Sequence, residues 1–398
     1  MAKSRLGVWL VGAKGGVATT AIAGLAAIRR GLLPELGLVT GLPAFRHLDL
    51  PDWSDLIVGG HEIRAVPLSD ETSRLVTESH TLAPEVFRNL ESEFVEIDGR
   101  IRPGTLWNVG PRIEGLATCD VPREATPRRT VARLRRDLEQ FAAAEQLEHV
   151  VVVYVASTEP PVAQVDTWPC RYDELEKWLD RPDCPLPAST LYAIAAFEAG
   201  CSLINFTPSL GAAPAALVEL AERCGTRHMG CDGKTGETLM KSVLGPMFAR
   251  RNLSVMSWVG HNIFGNLDGR VLDDPHNKQA KIASKDHLVG EILGYRPQTL
   301  VSIEYIESLG DWKTAWDHIH FRGFLGTPMT LQFTWQGCDS ALAAPLVLDL
   351  VRLTDLARRR GQTGLMPFLA SFFKSPYGIA EHAFDRQYAM LEAWAKQE

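Results

Sequence analysis

Leu6-Gly-Val-Trp-Leu-Val11, running into Gly12-Ala-Lys-Gly15-Gly16-Val17, decides the fold. A short apolar run stopped by glycine fits a buried strand, and Val17 to Arg30, rich in Ala, Ile and Leu, has helical character. Leu36-Gly-Leu-Val-Thr40 reads as the next strand. Strand, glycine turn, helix and strand within about 35 residues make a βαβ unit. Glycines at such a junction let the backbone turn tightly and approach a pyrophosphate, whose charge meets the free N–H groups of the helix start. The spacing is G-x-x-G-G and not G-x-G-x-x-G, so the turn by itself suits either a dinucleotide or a plain tight turn. No acid for an adenosine ribose stands at Thr40-Gly41; Glu62, in Ile57-Val-Gly-Gly-His-Glu62, is the later candidate. The absence of a nearby arginine pair favours NAD over NADP.

Farther along, Val150-Val-Val-Val-Tyr-Val155 is a continuous β-branched run of the kind found in central parallel strands. Ser202-Leu-Ile-Asn-Phe206 follows a helix-like Leu191–Ala199 and reads as another strand. The Pro- and Arg-rich stretches 100–130 and 160–185 read as surface excursions. After about residue 232 the texture changes. Leu253-Ser-Val-Met-Ser-Trp258 and Met329-Thr-Leu-Gln-Phe-Thr-Trp335 alternate, which suits an open-faced sheet, and Ala341 to Arg359 reads as a long helix. The expected class is α/β: a Rossmann-like doubly wound parallel sheet over 1–232, completed by 340–398, carrying an inserted α+β domain at 233–339.

A chain of 398 residues can bury one large core or two ordinary ones. Its net charge of -7 argues against nucleic acid as the main partner. Arg128, Arg129, Arg133, Arg135 and Arg136, followed by Asp137 and Glu139, fit a solvated helix face. No apolar run approaches the ~20 residues that cross a bilayer, so no membrane role is expected. Met1 to Arg5 leads directly into the first strand without a signal peptide. Seven cysteines without a Cys-x-x-Cys pair suggest reduced, mostly buried thiols and a cytoplasmic address.

The lysines are unevenly placed. Only 11 of the 41 basic residues are Lys, and six of these fall between Lys234 and Lys313: Lys234, Lys241, Lys278, Lys281, Lys285 and Lys313. An ammonium is a compact charge able to trade protons, which a guanidinium does not do, so the cluster points to phosphate or oxyanion chemistry. Lys281 and Lys285 share a face if Lys278–Gly290 is helical, and they would repel unless an anion lay between them. The alternative is an exposed basic helix. Lys374, in Phe372-Phe373-Lys374-Ser-Pro376, sits beside an aromatic pair and suggests a partly buried charge. Asp232, Asp268, Asp311, Asp317 and Asp339 are possible counterparts; Asp268 lies in a polar, glycine-rich stretch that otherwise reads as a loop. His318-x-His320 lacks a third ligand at a telling distance, so no metal site is assigned. Neither G-x-S-x-G nor a cysteine-nucleophile motif is present.

Taken in order, these segments resemble the inositol-1-phosphate synthase family. Gly12-Ala-Lys-Gly-Gly-Val-Ala-Thr-Thr20 is similar to its nucleotide loop, which adds Ala18 and Thr19 to the cofactor candidates Gly12, Gly15, Gly16 and Val17. Val58-Gly-Gly-His-Glu62 looks like its GW-D segment, with His and Glu for Trp and Asp. Ala156-Ser157-Thr158-Glu159, Ile204-Asn205-Phe-Thr-Pro-Ser209 and Gly230-Cys-Asp232-Gly-Lys234-Thr-Gly-Glu-Thr238 resemble three further motifs. Ser257 to Gly269 is similar to S-x-N-x-x-G-N-x-D-G, and Asp339-Ser-Ala-Leu-Ala-Ala-Pro345 to the D-S-x-x-A-A-P helix start. The resemblance runs to about Pro376 and is strongest to the compact prokaryotic and archaeal branch. His261 and the Gly-Lys-Thr-Gly-Glu version of the third motif depart from the pattern.

The resemblance implies a homotetrameric enzyme that uses bound NAD to oxidise C5 of glucose 6-phosphate, enolise, close C6 onto C1 and reduce C5 again. It implies catalytic roles for Lys281, Lys285, Lys313, Lys374, Asp268 and Asp339. Its cofactor contacts would be the glycine turn, Glu62, Ser157, Thr158, Asn205, Asp232 and Lys234. A divalent or monovalent cation is a further cofactor it admits. In the role assignment, Lys281 moves the C5 hydroxyl proton, Lys285 and Lys374 polarise C1 or hold phosphate, and Lys313 acts at C5 with Asp339 tuning a neighbour. The alternatives are a related cyclase on another sugar phosphate, a simple NAD dehydrogenase, and a non-catalytic NAD-binding relative.

Overall fold

The computed structural model describes residues 5–266, 269 and 288–397. Eleven strands among them form two sheets. β1 (Leu6–Val11), β2 (Leu56–Glu62), β3 (Ile101–Pro103), β4 (His149–Tyr154), β5 (Ser202–Asn205), β6 (Arg227–Gly230) and β11 (Gly364–Leu365) make a seven-stranded sheet. Its order is β11-β6-β5-β4-β1-β2-β3, and every pairing is parallel.

The strand side chains divide between two cores, as a doubly wound sheet requires. Leu6, Val8 and Leu10 of β1 join Val151 and Val153 of β4 under the helices Gly16–Arg29 and Asp339–Arg359. Trp9 and Val11 join Val150, Val152 and Tyr154 on the opposite face, under Pro127–Ala144, Ala188–Glu198 and Ala215–Arg223. β1 lies between β2 and β4, so the chain reverses direction across the sheet there. A crevice opens at the carboxyl ends of these strands, where such folds hold their ligands.

The expected second strand at Leu36–Thr40 does not form. The segment ends in a single 3-10 turn, Val39–Gly41, and the second strand is β2. The buried Asp349 carboxylate takes the N–H groups of Val39 (2.7 Å) and Thr40 (2.9 Å), the donors a ladder would need. Glu62 therefore closes the true second strand. Stretch 160–185 holds short helical turns at Val165–Thr167, Tyr172–Leu175 and Glu176–Asp180, and Trp168, Tyr172, Leu175, Leu179 and Cys184 bury into the core, so it is packed structure and more than a surface excursion. Within 100–130, Ile101–Pro103 adds an edge strand. All seven cysteines are free; Cys184, Cys201 and Cys338 are buried, whereas Cys170 and Cys224 are exposed, so the thiols are not mostly buried.

β7 (Ser254–Phe264), β8 (Gln298–Tyr305), β9 (Trp312–Arg322) and β10 (Pro328–Cys338) form the second sheet, ordered β10-β9-β7-β8. β9 runs antiparallel to β7 and β10, while β7 and β8 are parallel. One face packs Val255, Trp258 and Ile319 on Phe248 of the Gly236–Arg250 helix. Exposed and half-buried positions alternate along β10, matching the period-2 pattern of its sequence.

Candidate active site

A cavity of about 550 Å³ opens at the carboxyl ends of β1, β2 and β4. Its floor is the glycine turn: Gly12, Gly15, Gly16, Val17 and Thr19 all line it. Gly12 has φ +86°, and a Cβ there would lie 2.7 Å from the Ala156 Cα, so only glycine fits. The N–H groups of Gly12 and Ala13 donate to the His61 carbonyl at 2.9 and 3.1 Å, which sets the turn on β2. The helix that follows has Gly15 as its cap, no side-chain cap bond and no acid in its first turn. Its first N–H groups are thus left for an external anion.

Glu62 lines the same cavity. Its carboxylate accepts the N–H groups of Lys14 (2.8 Å), Ile63 (2.8 Å) and Arg64 (3.2 Å), so it braces the turn from the side. Beneath it, the Trp9 indole N–H donates to His61 Nδ1 at 2.9 Å, and His61 Nε2 lies 3.1 Å from Asp137. The Trp9 bond places the imidazole proton on Nε2, and burial lowers the His61 pKa despite the Asp137 carboxylate. An arginine pair does reach this end of the cavity, contrary to the sequence expectation. Arg64 and Arg74 line it, drawn together by the helix that starts at Leu68. Both are engaged by acids: Arg64 by Glu62 and Glu71, Arg74 by Glu71 and Glu78.

Ser157 and Thr158 form the wall above β4. Behind them the buried Glu159 accepts the Tyr154 hydroxyl (3.0 Å) and the Ser189 N–H (2.8 Å), and burial pushes its carboxyl up to about 7. Asn205 also stands one layer back. Its amide donates to the Ser209 carbonyl (2.6 Å) and the Tyr377 hydroxyl (2.9 Å), holding the Thr207-Pro208 loop that lines the cavity. Ala18 packs into the core below the turn.

The facing wall carries the acids and lysines. Lys374 Nζ donates to Asp232 Oδ1 at 2.8 Å, and both residues line the cavity. The Lys374 N–H donates to the Asp232 carbonyl at 2.7 Å, fixing the two backbones together. Asp339 lines the cavity beside Ser340, with Lys313 Nζ 3.7 Å from Asp339 Oδ2 and 5.2 Å from the centre of the Phe264 ring. Lys234 is placed elsewhere. Its ammonium donates to Gln387 Oε1 and lies 6.0 Å from the Phe384 ring centre, away from the cavity, and burial pushes its pKa down to about 7. An extended segment would put positions 232 and 234 on one face, but Asp232 has a left-handed φ of +62°, so the two side chains part and could not be assigned from sequence together. Lys278, Lys281, Lys285 and Asp268 lie outside the described residues. Among the described residues no group of three or more His, Cys, Asp or Glu side chains is disposed to hold a metal.

The cavity thus joins an anion-accepting turn to the Lys374–Asp232 pair in its lining and to Asp339, which Lys313 approaches from outside the lining. These residues fit a dinucleotide on the floor with a small anionic substrate against the lysines. Arg64 and Arg74 were not among the expected site residues, and His61 stood only as a motif departure; the nearness of Arg64 to Glu62 was the one local signal.

The sequence profile of the family described as Myo-inositol-1-phosphate synthase matches residues 6–396. Inositol-3-phosphate synthase 1 of Bacteroides thetaiotaomicron is 34% identical over 96% of this chain and 91% of its own. The crystal structure of inositol-3-phosphate synthase from Caenorhabditis elegans shares the fold, with a TM-score of 0.88 over 99% of this chain and 85% of that one, at 24% identity. A myo-inositol-1-phosphate synthase-related protein from Thermotoga maritima superposes with a TM-score of 0.80 at 25% identity, over 99% of both chains. With a family profile spanning nearly every residue, and motifs that meet around one cavity, the chain belongs to the myo-inositol-1-phosphate synthase family.

Proposed function

We propose that this protein is an inositol-3-phosphate synthase, converting D-glucose 6-phosphate to 1L-myo-inositol 1-phosphate. The observation that supports the reading best is the pairing of Lys374 with Asp232 and Lys313 with Asp339 in or beside the cavity floored by the glycine turn. Bound NAD supplies hydride acceptance from C5 and its return at the end of each cycle.

The chain's own residues do the rest. The uncapped helix start and the Gly12 turn hold the pyrophosphate, and Ser157 and Thr158 flank the nicotinamide end. Oxyanion character develops at C5 and then at C1, and fixed ammonium groups stabilise both. Lys374, steadied by Asp232, faces C1 or the phosphate; Lys313 with Asp339 acts at C5. Lys281, Lys285 and Asp268 complete the set, Lys281 moving the C5 hydroxyl proton. A divalent or monovalent cation is assigned as an optional aid to phosphate binding. We assign 1–232 with 340–398 to NAD binding and 233–339 to catalysis and assembly. The alternating exposure of β10 supports a homotetramer built through that sheet, and the cytoplasm is the expected address.

The test is incubation of the protein with NAD and glucose 6-phosphate, with product identified by NMR. The expected outcome is inositol phosphate with no net reduced cofactor. Steady accumulation of reduced cofactor would instead mark a plain dehydrogenase. A related cyclase acting on another sugar phosphate is the second reading, since its motifs would be nearly the same; a different cyclic product in the same assay would identify it.

A further inference from the structure

Asp311 lines the cavity two residues before Lys313. Its carboxylate gathers donors from separate segments. Oδ1 accepts the Asn266 side-chain amide at 2.9 Å; Oδ2 accepts the Cys338 thiol at 2.9 Å and the Ser340 N–H at 3.2 Å. Its backbone carbonyl also accepts the Asp339 N–H at 3.1 Å. Among the described residues these donors are all neutral. A carboxylate held by three donors in this way is committed to geometry.

The segments it joins are those that carry the site. Gly265 and Asn266 line the cavity at the end of β7, Lys313 lies near the start of β9, and Asp339 opens the long helix after β10. The Gly265 N–H donates to the Gly310 carbonyl at 2.9 Å, locking the same corner from the backbone side. We propose that Asp311 is a positioning residue of this active site, holding Lys313 and Asp339 in register through the Asn266, Cys338 and Ser340 donors. The proposal rests on the synthase reading above. Burial first, and then the Asp311 charge, push the Cys338 thiol up to about 12, so it serves as an S–H donor and not as a thiolate.

The test uses the full chain with glucose 6-phosphate and NAD, comparing the parent with Asp311→Asn, Cys338→Ala and Cys338→Ser. Asp311→Asn is expected to lower kcat about a hundredfold, since a misplacement near 1 Å costs that much. KM for glucose 6-phosphate and the Kd for NAD should stay within about threefold, because the substitution keeps the size of the side chain. Cys338→Ala should lose about tenfold in kcat, and Cys338→Ser, which keeps a donor, should recover most of it. A kcat for Asp311→Asn within about threefold of the parent overturns the proposal. So does an equal loss in Cys338→Ala and Cys338→Ser, or a fall in kcat matched by lost NAD affinity and a lowered Tm. If Asp311→Asn does not fold, the ratio between the two Cys338 variants decides. An inactive parent overturns the synthase reading along with this one, whereas an active parent beside an equally active Asp311→Asn overturns the positioning role alone.

Discussion

The two sides of the cavity are built in opposite ways. The floor is one continuous run, Val11 to Thr19, braced by His61 and Glu62 from the neighbouring strand. The facing wall is assembled from fragments: Asp232 and Lys374 are 142 positions apart, and Lys313 reaches Asp339 across the β9–β10 hairpin. A continuous run is tuned by backbone conformation, so damage there is expected to strike cofactor binding and folding together. An assembled wall is tuned by side-chain charge, so damage there is expected to strike the proposed chemical step.

The sharpest way to break this contrast is at Lys374. Lys374→Ala should lower kcat by about 10³-fold, with NAD affinity nearly unchanged, as expected for loss of a transition-state charge. Steady-state kinetics and a cofactor titration check both halves; a matched loss of NAD binding would merge the two sides. Lys281→Ala tests the same proposed chemistry, and a variant that cyclises at the parent rate would remove Lys281 from the catalytic set.

On the floor, Gly12→Ala forces a left-handed φ and a clash with Ala156. It should cost about 2 kcal/mol of stability and weaken NAD binding at least about tenfold. Thermal melts and calorimetric titration read both, and a change in kcat alone would contradict the scheme.

Lys234 offers a finer cut, since it shares a motif with Asp232 but faces the Phe384–Ala395 helix. Its depressed pKa means that the unfolded chain binds the proton more tightly. Stability therefore rises with pH from about 7 toward the ordinary lysine value of ~10.4, and the cost is full below that window. Lys234→Met should abolish that slope and raise Tm by about 2 °C or more at pH 7. NAD affinity should not change; a weakened affinity would restore Lys234 to the cofactor site. The smallest effect is expected at the half-exposed Trp316 of β9. Trp316→Lys should shift the mass measured by light scattering toward smaller species while protomer stability stays within about 0.5 kcal/mol.

Much of the fold was legible. Val8 and Val151 to Val153 are continuous apolar runs because both faces of their sheet are covered, and β10 alternates because its sheet is covered on one. Leu36–Thr40 misled because its apolar residues imitate a strand while Asp349, some 310 positions away, takes its donors. The lysine cluster announced itself through composition in an arginine-rich chain, yet nothing local could say that Lys234 turns away and Lys374 turns in.

By itself the sequence determined the doubly wound sheet, the glycine turn at its switch point and the family, because periodicity and steric demands such as that on Gly12 act within a few residues. The tertiary structure alone decided that Glu62 ends the second strand, that Arg64 and Arg74 line the cavity beside Glu62, and that Asp311 ties Asn266 to Cys338 and Ser340. Those facts are distances between segments remote in the chain, and they come into being only when both cores are packed.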